Sequence, residues 1–380
     1  ISVVAPNNNN VFRSIPTTVK PSPQTEPFLL LKSSADPIAS AEALNTIVSR
    51  SRITPLIQSK SDVQGFLQIL WHGGLFLLAA FFHCKRPCIA SLFSMAYVSS
   101  FFFHGLHETV HQTAFRSKWM NNVFAHMFGL LCMRPARHYY YYHWQHHRYT
   151  GNPNLDSELQ QGSFLDIPVN SVASYLFYLS GIPFWIDAIS NLVRHGLGNC
   201  PEMYLQSPAK AKTEVTTEAR IYMMVYCLFL VASAWNPSIK SILWQYWVLP
   251  AMIGQPFLRF YLLAEHRGRR QTDFILDNTR TMDTNKIYRK LAWNMPYHME
   301  HHAWPAVPFH KLKDAHELIM EATTKTNRNT NSNDDNNDDN NTGSKSIIDL
   351  REGELDMNLS SAKGYMAFQW AFLKSLFRKK

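Results

Sequence analysis

The sequence predicts an all-α membrane protein, with four transmembrane helices in two hairpins and a histidine-rich helical cap on their cytosolic side. Three observations predict it. Runs without Asp, Glu, Lys or Arg recur at 63–84, 87–107, 221–239 and 241–258. Three histidine clusters of similar build lie at 104–111, 143–147 and 298–302. Lys and Arg are spread unevenly over the intervening loops.

A run of about 20 residues, rising ~1.5 Å each, crosses a hydrocarbon core of roughly 30 Å. Residues 63–84 form the first such run, Lys85, Arg86 and Pro87 break it, and 87–107 form the second. This hairpin returns the chain to its starting side just as His104, His107 and His111 arrive. Residues 119–133 are apolar but too short to span, so they are read as interfacial or re-entrant. Residues 167–186 are long enough but broken by Pro168 and Pro183. They too are read as interfacial, since a crossing here would carry the later histidines to the opposite face. Residues 221–239 and 241–258, joined through Asn236 and Pro237, form the second hairpin, which ends before Arg259, Glu265 and His266.

Arg50, Arg52, Lys60, Arg116, Lys118, Arg134, Lys210, Lys212, Arg267, Arg269 and Arg270 then share the histidine side, against Lys85, Arg86 and Lys240 at the hairpin tips. Positive residues prefer the cytosol, so the histidine face is expected there. The net charge of +9 is accounted for by this topology and not by a nucleic-acid surface. Five cysteines without CxxC spacing argue against a disulfide framework and against a zinc module.

Four regions follow. Residues 1–59 are read as a disordered N-terminal tail, with a transit-peptide remnant as the alternative. Residues 60–320 form the membrane-embedded catalytic domain. Residues 321–346, rich in Asn and Asp, read as a disordered linker. Residues 347–380 are a basic tail whose amphipathic helix either lies on the membrane or packs on the domain.

The histidines carry the chemistry. His143, His146 and His147 have the spacing i, i+3, i+4, and His298, His301 and His302 repeat it. Residues so spaced share a helix face, so three ring nitrogens could converge from a single turn. Imidazole suits zinc, copper, iron and nickel alike. Eight or nine clustered histidines exceed what one zinc needs and suffice for two octahedral ions with open positions. Bound imidazoles need an acceptor on the far ring nitrogen, and Glu108, Asp156, Glu265 and Glu300 are the candidates. His104 and His138 are expected to support the ligands without joining them, although His104 could replace one if the site shifts by a turn.

HETVH at 107–111, HWQHH at 143–147 and HMEHH at 298–302 resemble the three histidine boxes of the integral-membrane fatty acid desaturase and hydroxylase superfamily. AEHRG at 264–268 and WNMPYHMEHHAWPAVPF at 293–309 are similar to its later part, and the resemblance covers about 60–320. It implies a centre of two non-haem iron ions, with O2 as co-substrate. The ligands it implies are His107, His111, His143, His146, His147, His298, His301 and His302, with His266 as a ninth outside the boxes. The preferred reading is a membrane-bound lipid (fatty acyl) desaturase. The alternative is a hydroxylase or ketolase acting on sphingoid or carotenoid chains, and a non-catalytic membrane metal-binding protein is the rival from another class.

The sequence has no His-Pro-Gly-Gly haem signature. Electrons are therefore expected from a separate protein, cytochrome b5 or ferredoxin. The other partners are the lipid bilayer and a lipid substrate, and no nucleic acid. The endoplasmic reticulum is the preferred location, with a plastid membrane as the alternative. The tyrosines at 139–142 and 222–226 suit either a groove for an acyl chain or ordinary packing.

Overall fold

The computed structural model describes residues 44–159, 169–269, 275–333 and 364–378. Residues 1–43 of the tail expected over 1–59, residues 334–346 of the linker expected over 321–346, and residues 347–363 and 379–380 of the C-terminal tail lie outside the described residues. Among the described residues the regular elements are helical and none is a strand.

After the short helix α1 (Arg50–Ile57) comes α2 (Asp62–Lys85), whose start is set by its polar border. Ser61 accepts from the backbone of Gln64, and Asp62 sits in the positively polarised first turn. The chain turns at Arg86 and Pro87 into α3 (Ile89–Ser100), bends at Phe101, and continues as α4 (Phe102–Val110). α5 (Lys118–Leu131) packs against α4, where Gly105 leaves room for the Phe128 ring. At 14 residues α5 is about 21 Å long, short of a crossing. α6 (Ala136–Tyr149) follows directly.

α7 (Val172–Leu179) and α8 (Ile182–Gly196) meet at a 54° bend. Gly181 makes the bend at φ 73°, a conformation most side chains disfavour, and a side chain there would run into Gln255. α9 (Lys210–Trp235) is the next long helix, ended by Asn236 and Pro237. The Asn236 side chain then caps α10 (Pro237–Leu243) by accepting from Ser238 and Ile239. A π-helical turn, Trp244–Val248, leads into α11 (Leu249–His266).

Among the described residues, three helices are long and apolar enough to cross a membrane: Asp62–Lys85, Ile89–Val110 and Lys210–Trp235, or up to four if the bent pair counts as one span. They correspond to the expected runs at 63–84, 87–107 and 221–239. The fourth run, 241–258, is helical but divided among α10, the π turn and α11, and it carries the polar Gln245 and Gln255. The bent pair falls instead on 172–196, overlapping the stretch expected to be interfacial. All five cysteines are free thiols.

The C-terminal part wraps the site. α12 (Ile275–Asn278) and α13 (Lys286–Leu291) precede a reversal at Trp293 and Asn294, both at positive φ. Trp293 Nε1 donates to His72 at 3.0 Å and Asn294 donates to the Phe309 carbonyl at 3.0 Å, so both ends of the reversal are tied down. It launches α14 (His298–Ala303) into the core. α15 (Leu312–Asn333) runs on into the Asn/Asp-rich tract. α16 (Tyr365–Arg378) buries Tyr365, Phe368, Phe372 and Leu376 in the same core as Tyr261 and Met295, against α7 and α11.

Candidate metal centre

Four elements bring the histidines together: the C-terminal half of α4, the second half of α6, the last residue of α11, and α14. His107, His111, His143, His147 and His301 form one buried group, in which each offers a ring nitrogen within 4.8 Å of the others. His146, His266 and His302 form a second. His298 adjoins it, with its Nε2 3.0 Å from His266 Nε2. The groups meet where the rings of His147 and His302 stack at 4.1 Å.

Each i, i+3, i+4 cluster is therefore divided. His143 and His147 enter the first group while His146 enters the second. His301 enters the first while His298 and His302 belong to the second. Convergence of one turn on one ion, open at the level of the sequence, is not what the fold builds.

The donor set fits metal ions. His143 and His147 face each other through Nε2 atoms at 3.1 Å, and so do His147 and His301. Nitrogens sharing an ion at roughly 2.1 Å stand about 3 Å apart when their bonds meet at a right angle. Both ring nitrogens of His107 and of His111, and Nε2 of His302, are buried without a hydrogen-bond partner. Orphaned polar atoms at this density are costly unless something binds them.

Burial pushes His143, His147, His298, His301 and His302 well below the usual imidazole range, and neighbouring histidines push further. The neutral imidazole is the form a metal takes. His146 differs. Burial lowers it, but the Asp156 and Glu158 carboxylates outweigh burial and raise it to about 9.

Several far ring nitrogens are held. His146 Nδ1 lies 2.8 Å from Asp156, whose carboxylate also accepts from the Gly151 and Glu158 backbones. His266 Nδ1 meets the Asn278 carbonyl at 3.1 Å and His302 Nδ1 meets the Thr150 hydroxyl at 3.2 Å, while His298 Nδ1 has the Glu265 carboxylate 3.2 Å away but makes no hydrogen bond to it. Glu108 accepts from Thr113 and keeps its other oxygen 3.6 Å from His107 and 3.9 Å from His301. Glu300 behaves differently from the other candidates. Its carboxylate takes the Thr281 hydroxyl and His316 Nδ1, both at 2.5 Å, so it seats α14 on α15 and orients no imidazole of the two groups.

His104 lies outside both groups, packed edge-on against Tyr261 at 4.5 Å. His138 meets the Tyr204 hydroxyl at 3.0 Å and belongs to a third group, with His195 and Glu202, that includes none of the box histidines. Arg194 pairs with the Glu202 carboxylate. Of the isolated histidines, His72, His83 and His310 have hydrogen-bonded places elsewhere, and His316 enters the network of Glu300. Thr150, Asn278, Thr281 and His316 are supporting residues that sequence reasoning missed. Nothing in their local spacing marks them, because their partners lie far along the chain.

A cavity of about 120 Å3 opens against the groups, lined by His104, His107, His143, His146, His266 and His298 together with Tyr139, Tyr142, Arg134 and Arg259. Of the two tyrosine stretches singled out in the sequence, Tyr139 and Tyr142 line this cavity. Tyr222 and Tyr226 instead donate to the His126 and Leu130 carbonyls.

Among known families, the profile described as Fatty acid desaturase matches residues 86–332. No curated protein matches the chain.

Proposed function

The chain belongs to the fatty acid desaturase family, whose reactions are oxidations of fatty acyl chains, and from that premise we propose that it is a membrane-bound, O2-dependent acyl desaturase with a histidine-held di-iron centre. The observation that carries this reading is the pair of adjoining imidazole groups with their orphaned nitrogens. In this reading His107, His111, His143, His147 and His301 hold one ion, and His146, His266, His298 and His302 hold the other. Two iron ions, when bound, supply the oxidising power that removes hydrogen from an unactivated methylene with O2.

The chain's own residues do the rest. Asp156 and the Asn278 carbonyl orient His146 and His266 so that the opposite ring nitrogens point inward, and the Glu265 carboxylate stands beside His298 Nδ1. Phe103, Tyr139, Tyr142 and Leu262 wall the cavity and keep bulk water from the chosen carbon. Holding that carbon in one place is the protein's main contribution to selectivity. We read the chain as four crossings with the histidine face cytosolic. That face would receive electrons from cytochrome b5 in the endoplasmic reticulum, or from ferredoxin if the membrane is a plastid's.

Expression in a host lacking the activity, followed by lipid analysis against His301→Ala, tests the reading. A new acyl double bond made by the native chain only is the expected result. A new hydroxy lipid or keto-carotenoid without a new double bond would overturn desaturation in favour of hydroxylation or ketolation. About one zinc per chain, with no iron and no O2 uptake, would favour a non-catalytic metal protein.

A further inference from the structure

Arg134, in the turn just before α6, and Arg259, inside α11, line the metal-side cavity from two different parts of the chain. They are 8% and 4% exposed. Arg259 Nε donates to Gln255 at 3.3 Å, whereas Arg134 Nε and Arg259 Nη2 are buried without a hydrogen-bond partner. Aromatic faces receive both guanidiniums: Arg134 lies 4.9 Å from Tyr139 and from Tyr142, and Arg259 lies 4.9 Å from Phe184. The two carboxylates in the cavity wall are turned to histidines. Glu265 is 3.2 Å from His298, and Glu158 is 3.9 Å from His146.

Two guanidiniums buried beside one cavity, offset only at longer range by the Glu158 and Glu265 carboxylates of its wall and with donors left over, are a costly arrangement for a fold to keep. An ionisable residue in an apolar helix, facing inward, marks a binding path. A second cavity, of about 150 Å3, shares the Phe103 wall and is lined mainly by apolar side chains, among them Phe76, Phe102, Leu131, Trp247 and Leu258. Together the two cavities suit a molecule with an apolar tail and a small anionic head.

We propose that Arg134 and Arg259 form a subsite for the carboxylate head of a fatty acid, whose tail occupies the Phe103-walled apolar cavity. The inference rests on the acyl-oxidation reading and narrows it. Arg134 packs on Tyr139, and Tyr139 stacks on His143 at 5.0 Å, so the head docks one aromatic ring from the metal-holding histidines. Oxidation then falls near the head group and not at the far end of the chain.

The test is displacement of a fluorescent fatty acid from the iron-loaded full chain in nonionic detergent at pH 8. Dodecanoate, dodecanol and dodecyl phosphate are compared at equal mole fractions in the micelle. Wild type is expected to bind dodecanoate at least about tenfold more tightly than dodecanol, since a charged hydrogen-bonded head is lost in the alcohol. Arg134→Gln and Arg259→Gln should each erase most of that preference while leaving dodecanol affinity unchanged, and the Lys variants should keep part of it. Equal binding of dodecanoate and dodecanol by wild type overturns the proposal even if the Gln variants fail to fold. So does a preference for dodecyl phosphate over dodecanoate, or a carboxylate preference that survives both Gln substitutions. Binding needs no turnover. A chain that holds dodecanoate through these arginines yet oxidises no lipid refutes the proposed reaction alone, and one that desaturates acyl chains without the preference refutes the subsite alone.

Discussion

The imidazoles of His147 and His302 stack at 4.1 Å with their planes 22° apart, and this contact joins the two histidine groups. It lies between residues of α6 and α14, which are far apart in the chain. The neighbouring pair His301 and His302, adjacent in sequence, stands at 89° with centroids 5.8 Å apart and serves different groups.

Separate groups imply separable metal sites. The wild-type chain should carry about two irons, and His301→Ala or His302→Ala about one each, because each change removes a ligand from one group only. Elemental analysis of purified protein measures this. Removal of His301 should also abolish turnover while membrane insertion persists. An unchanged iron content in both variants would remove these histidines from the ligand set.

Asp156 acts through His146. Its carboxylate fixes the imidazole at 2.8 Å and is itself held by two backbone amides, staying below the usual carboxylate range because His146 outweighs the cost of burial. Asp156→Asn keeps the shape but loses the charge, and should weaken iron retention roughly 10- to 100-fold. Iron remaining after graded exposure to a chelator reports it, and retention equal to wild type would mean that Asp156 does not tune the site.

His316 and Glu300 couple the seat of α14 to pH. Burial lowers the His316 pKa, but the hydrogen bond and charge of Glu300 outweigh burial and leave it above its ordinary value. A raised folded pKa means that the pair stabilises fully below the unfolded value of about 6.5 and loses that contribution as pH rises through the folded value. His316→Gln keeps a donor but not the charge. It should cost roughly 1.5 kcal/mol at pH 6 and clearly less at pH 9, read as melting-temperature differences in detergent. An equal loss at both pH values would show that the charge does not matter.

Much of this protein follows from local pattern. Uncharged runs at 63–84, 87–107 and 221–239 became long apolar helices because an apolar surface of that length is stable only where every backbone group is bonded within the segment. The eight histidines of the boxes and His266 gather in one region, so residues grouped by helical spacing do come together. Asp156 could be named because it lies close in sequence to His146, whereas Glu265 was named for its place beside His266 and meets His298, far along the chain. The division of each cluster between two groups could not be read this way. Residues at i, i+3 and i+4 share a face, but which nitrogen meets which is decided by the helix packed opposite, and that is a long-range relation. The same reason hides the link of Glu300 to Thr281 and His316, the place of Asn278 behind His266, and the convergence of Arg134 and Arg259 on one cavity. Sequence alone determined the kinds of residue available and the helices that carry them, while tertiary packing decided their partners.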